Sequence, residues 1–96
     1  MLINKETSTG EVVTIKLVTS EELIGKLKEE SSTHYYIERP LALVMSQQGL
    51  GLQPWLFTVD TEKVISFPKD KVMIIMPTMK EMADNYLQGT TGIVLN

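Results

Sequence analysis

The chain has 96 residues, 43% apolar and 22% charged, with nine basic against twelve acidic side chains and a net charge of -3. That length holds one domain with a thin stability margin, which oligomerisation would widen, and the negative balance leaves nucleic acid to be bound only by a local basic patch. With no cysteine and a single histidine, disulfides and thiolate metal sites are excluded, no metal centre is expected, and nothing calls for a cofactor.

Residues 1–10 (MLINKETSTG) are polar, end in glycine, and read as a flexible arm. They lack the apolar run of a signal peptide, and no later segment approaches membrane-spanning length, so a cytoplasmic protein with no membrane partner is expected. From Glu11 the sequence alternates, with Val13, Ile15 and Leu17 on one face and Thr14 and Lys16 on the other, the pattern of a half-buried strand. After turn chemistry at Thr19 to Glu21, a second strand puts Leu23, Gly25 and Leu27 inward and Lys26, Lys28 and Glu30 outward. Gly25 marks a bend or a close approach of another backbone. Ile24 departs from the alternation and is expected to face a partner.

Ser31 to Thr33 make a hairpin connection to a long third strand, HYYIERPLALVM, in which Tyr35, Ile37, Leu41, Leu43 and Met45 share one parity. Pro40 cannot donate to a ladder, so an edge position or a bend is expected there. The loop SQQGLGLQP should fold its Leu50 and Leu52 back over apolar surface. Trp55, Phe57 and Val59 alternate as a fourth strand, with Val64 to Phe67 continuing the pairing after a turn at Asp60 to Glu62. Pro68 to Lys71 form another tight turn. Val72 to Met76 (VMIIM) is apolar on both parities, so it is buried on both faces or lies in a subunit contact.

The end of the chain carries the clearest helix, expected at residues 78–88. Thr78 and Glu81 have capping-box spacing, Met79, Met82, Ala83, Tyr86 and Leu87 form one apolar stripe, and Gly89 stops the helix. Ile93, Val94 and Leu95 are too apolar for an idle tail and should dock on the barrel or on a neighbour. The expected fold is all-β with a C-terminal helix: a small, five-stranded, strongly bent antiparallel barrel over 11–76, then a helix and tail over 77–96.

The strand order, the run Val13, Ile15, Leu17 followed by a turn and Gly25-x-Leu27, and the run FPKDKVMII resemble the Sm-like family across residues 11–76, with the compact phage-borne members nearest. The resemblance implies a head-to-tail cyclic homo-oligomer and an RNA-binding inner rim. By that resemblance the rim would draw on His34 or Tyr35 for base stacking and Lys69 for phosphate. The subunit contact would draw on Phe57, Val72, Ile74 and Met76. The departures are specific: Ser31 stands at the family's aspartate position, Tyr35 stands near its asparagine, and Pro68-Lys69 replaces the Arg-Gly pair. The set that reads uridine is missing, so the ring carries over better than the RNA pocket.

No nucleophile is paired with a base, and the carboxylate pairs Glu21-Glu22 and Glu29-Glu30 lie at strand ends where they are solvated, so an enzyme is not expected. Two functions are left: a non-catalytic ring with weak RNA binding at best, and a structural or adaptor oligomer that holds another protein.

Overall fold

The computed structural model describes residues 9–60 and 62–90. Six strands and one helix follow in order: β1 (Val12–Leu17), β2 (Glu22–Glu30), β3 (His34–Ser46), β4 (Gly49–Pro54), β5 (Val64–Pro68), β6 (Val72–Pro77) and α1 (Lys80–Thr90). All pairings are antiparallel, in the order β4-β3-β2-β1-β6, with β5 also on β3. The chain is therefore all-β with a C-terminal helix, as its alternation foretold. The arm at 1–8 and the tail at 91–96 lie outside the described residues.

The five-stranded closed barrel is not what forms. β3 is so long that its first half pairs with β5 and its second half with β4, and the segment 55–60, expected as the fourth strand, lies between them without strand structure. The sheet nevertheless curls strongly. A one-turn 3-10 helix, Lys69–Lys71, joins β5 on the edge of β3 to β6 on the edge of β1. Three residues span only about 10 Å, so the two margins must approach each other. They do not pair, because the turn is pinned to separate anchors: the Lys69 amide donates to Thr33 O (2.8 Å) and the Val18 amide to Lys71 O (2.9 Å).

The bend expected at Pro40 is present, and it has a consequence for every residue after it. Between the pairs Lys26–Glu38 and Ile24–Leu41, β3 advances three residues while β2 advances two. Arg39 takes up the extra residue at φ 53°, a left-handed conformation uncommon for a side chain of its size. A bulge of one residue exchanges the faces of the strand. Tyr35 and Ile37 thus pack with the inner cluster of Val13, Ile15, Leu17, Leu23, Leu27 and Phe67, and Ala42 takes the inner side after the bulge. Leu41 and Leu43, expected on the same side as Ile37, go to the other face.

That outer face is where the helix lies, and it explains Ile24. Leu41, Ile24 and Tyr86 form a second buried cluster flanked by Val12, Leu43, Leu52 and Met82. The partner Ile24 was expected to face is α1 of its own chain. The helix starts later than the Thr78–Glu81 spacing suggested, since the Thr78 hydroxyl lies 2.8 Å from that of Thr14 and its amide donates to Val12 O (3.0 Å). Of the expected stripe, Tyr86 is 1% exposed and Met82 and Ala83 are half-buried, whereas Met79 and Leu87 are exposed.

Tyr86 Oη donates to Glu38 O at 2.7 Å, on the residue next to the bulge. Its hydroxyl is held well above the usual range, first by burial and then by the Glu38 carboxylate, so it stays neutral in the fold. Unfolded chains lose this proton above about pH 10 while folded ones keep it, so stability should fall as pH rises through that point. Tyr86→Phe should cost about 1 kcal/mol at neutral pH, through the unmet carbonyl, and should flatten the alkaline loss in denaturant melts taken across pH.

Candidate functional site

The two segments named as an RNA rim do meet. The register sets His34 opposite Pro68 and Tyr35 opposite Phe67, and the Lys69 amide bonds to Thr33 O. The β2–β3 hairpin is stiffened by Ser31, whose hydroxyl accepts from the amides of Thr33 (3.3 Å) and His34 (3.0 Å).

The side chains divide by face. His34 points away from Tyr35, placing its ring 6.2 Å from that of Tyr36, with Nδ1 2.8 Å from the Thr33 hydroxyl. Tyr35 lies half-buried against the inner cluster, and Lys69 Nζ sits 4.9 Å over the centre of its ring. The same ammonium is 2.5 Å from Glu30 Oε2. Lys69 and Tyr35 are thus brought together, while His34 belongs to another surface.

Glu30 was expected outward on its strand and, with Glu29 and Asp70, near enough to the rim to oppose an anion there, but not in contact with Lys69. A second bulge moves it: between Leu27–Ile37 and Glu29–Tyr36, β2 advances two residues against one on β3, so Glu30 comes out opposite Tyr35. No single residue in LKEE announces that bulge. The pair is partly exposed, so it is worth about 0.2–1 kcal/mol, but it neutralises the cation that a phosphate would need.

The assembly residues are placed differently. Phe57 is 78% and Ile74 51% exposed, and Met76 is also exposed, whereas Val72 packs against the inner cluster and serves the core of its own chain. β6 pairs with β1 alone and β4 with β3 alone, so among the described residues both ends of the sheet present an open edge. Met73 sits in a bulge of β6, between the pairs Leu17–Val72 and Lys16–Ile74, and is exposed as well. Leu50 and Met45, cross-strand partners at the tip of the β3–β4 hairpin, are exposed at the other end of the sheet.

Trp55 stacks on Phe67 with ring centres 5.2 Å apart, which fixes the start of the 55–60 segment and leaves Leu56, Phe57 and Val59 outward. The Glu21 carboxylate at the β1–β2 turn is held below its usual range, chiefly by the Thr19 hydroxyl and to a smaller degree by the Trp55 indole N–H. No helix among the described residues is long and apolar enough to cross a membrane. In comparison with known proteins, no family profile and no curated protein matches this chain.

Proposed function

We propose that this chain is a non-catalytic, self-assembling module of the Sm-like kind, whose copies join head to tail through the open edges of β6 and β4. The observation that carries the reading is the pairing of two unlike open edges with exposed apolar side chains at both: Met73, Ile74 and Met76 at one end, Leu50 and Met45 at the other. Open apolar edges are aggregation templates unless a partner covers them. Two different edges that fit each other make a heterologous contact, which closes into a ring when the rotation per subunit allows it. Phe57, just beyond the end of β4, would reach over the seam onto the neighbour. The element order also supports the resemblance, with a 3-10 turn between the last two strands and the final strand back on the first. Sedimentation velocity at micromolar concentration tests the proposal: a discrete oligomer supports it, and a monomer rejects it.

The function that fits best is a structural or adaptor ring. RNA binding is the second reading, and the observation in its favour is the stack of Lys69 on Tyr35 at the junction of hairpin and turn. Glu30 opposes it by occupying the ammonium. Labelled oligo-U should therefore bind weakly to the parent at low salt, and Glu30→Gln should tighten binding about fivefold, the equivalent of about 1 kcal/mol. Tyr35→Ala and Lys69→Ala should each abolish what binding there is. No binding by the parent or by Glu30→Gln leaves the adaptor ring alone.

A further inference from the structure

Both open edges of the sheet carry an oxidisable side chain. Of the chain's six methionines, Met73 and Met76 lie on β6 and Met45 at the tip of the β3–β4 hairpin, and all three are exposed in the single chain. Met76 shares a face with Ile74, since the two pair with Thr14 and Lys16 of β1, and Met45 stands opposite Leu50. Met82 differs, being half-buried against the cluster of Ile24, Leu41 and Tyr86. The thioether that serves the fold is sheltered, and those at the edges are open. Met79 is 65% exposed, the same as Met73, but stands past the end of β6 and before α1, which makes it a matched reference.

We propose that Met45, Met73 and Met76 make the head-to-tail contact a redox-sensitive switch, an inference that rests on the joining of β6 to β4 proposed for this chain. A peroxide delivers one oxygen atom to the thioether sulfur: an S–O bond forms, the O–O bond breaks, sulfur is oxidised by two electrons, and water leaves. The product carries a polar acceptor where an adaptable apolar side chain stood. In the single chain that oxygen is hydrated, so the fold is spared. In a seam it is stripped of water against the apolar side chains of the facing edge, which is unfavourable without a donor. Sulfoxide therefore selects the free chain over the joined one. The coupling is reciprocal, since joining shields the sulfurs as much as oxidation opposes joining. Enzymatic reduction of the sulfoxide returns the thioether, so the switch resets.

The test is hydrogen peroxide treatment of the dilute chain, followed by concentration and sedimentation velocity. Peptide mass should show sulfoxide at Met45, Met73, Met76 and Met79, with little at Met82. Treated chains should need a concentration about tenfold higher or more to assemble, and methionine sulfoxide reductases should restore the oligomer. When treatment follows assembly, Met73 should oxidise several-fold more slowly than Met79. The triple variant Met45→Leu, Met73→Leu, Met76→Leu should stay assembled after peroxide, whereas Met79→Leu should be as sensitive as the parent. An untreated chain that is already monomeric rejects the contact itself, and the switch with it. An oligomer that survives sulfoxide at all three positions rejects the switch and leaves the contact standing. Equal sensitivity of the triple variant, or a far-ultraviolet spectrum altered by treatment, assigns the effect to Met82 or to loosening of the fold and also overturns the proposal.

Discussion

Gly25→Ala should lower the stability of the fold by about 3 kcal/mol, near the top of the usual range for overpacking a filled core. A β-carbon at this position would stand 2.3 Å from Ile37 Cγ2, 3.1 Å from Glu38 O and 3.3 Å from the Cα of Pro40. The severe clash is with the side chain of Ile37, fully buried in the inner cluster, and the other two contacts are tight backbone of the β3 bulge, so relief requires shifting Ile37 and the bulge that follows it. That shift would disturb the inner face and Leu41 with Tyr86 on the outer, so both clusters should loosen together. Gly51→Ala is the control, since its β-carbon would meet only Val44 Cγ2 at 3.9 Å. Urea midpoints should separate the two variants clearly, with Gly51→Ala shifted by about 0.5 kcal/mol or less. Equal midpoints would show that the bulge is not tightly packed on Gly25.

If copies join head to tail as proposed, Ile74→Lys should give monomers without unfolding them. Ile74 is half exposed in the isolated chain, so a lysine there costs the fold little. In a subunit contact the same ammonium would be stripped of water opposite the apolar β4 tip, and a buried unpaired charge costs several kcal/mol. Each copy contributes one such contact on either side, so the penalty recurs at every seam of a ring. Sedimentation of the variant should give a single slow species, with a far-ultraviolet spectrum like that of the parent. Leu50→Lys should do the same from the opposite edge, and equal amounts of the two variants, whose Ile74 and Leu50 edges remain intact, should recover only dimers.

Much of the fold was legible because alternation reports burial directly. The inward sets of β1 and β2, the turn at Pro68 to Lys71, the bend at Pro40 and the helix after Pro77 all followed from side-chain parity and turn chemistry. Gly25 was the most informative residue for the same reason: a glycine in an inward position has to leave room for something, and Ile37, with the β3 bulge behind it, is what fills it. Bulges themselves escaped. One at Arg39 put Leu41 and Leu43 on the helix side, and one at Lys28 turned Glu30 towards Tyr35. Each is set by how two strands fit together, which neither strand's own sequence states.

The candidate site was half legible on these grounds. The meeting of Lys69 with Tyr35, and the opposition of nearby Glu30, came from a resemblance in strand order, whereas the direct ion pair of Glu30 with Lys69 depends on the missed bulge. The fourth strand failed for another reason. Trp55, Phe57 and Val59 alternate as a strand would, but Trp55 is drawn onto Phe67 and the bend of β3 leaves no ladder beside 55–60.

The position of β6 bears on the order of events during synthesis. Its partner β1 is complete some sixty residues earlier, as the pair Thr14–Met76 shows. While the chain emerges, β1 holds Val12–Leu17 next to a vacancy that only the last strand fills, and such distant pairings close late. Any β6 close at hand fits that vacancy, whether from the same chain or from another. Exchange of β6 with its helix between copies is therefore the error this topology invites when refolding is attempted at high concentration. The head-to-tail contact and the swapped one would use opposite edges of the same strand.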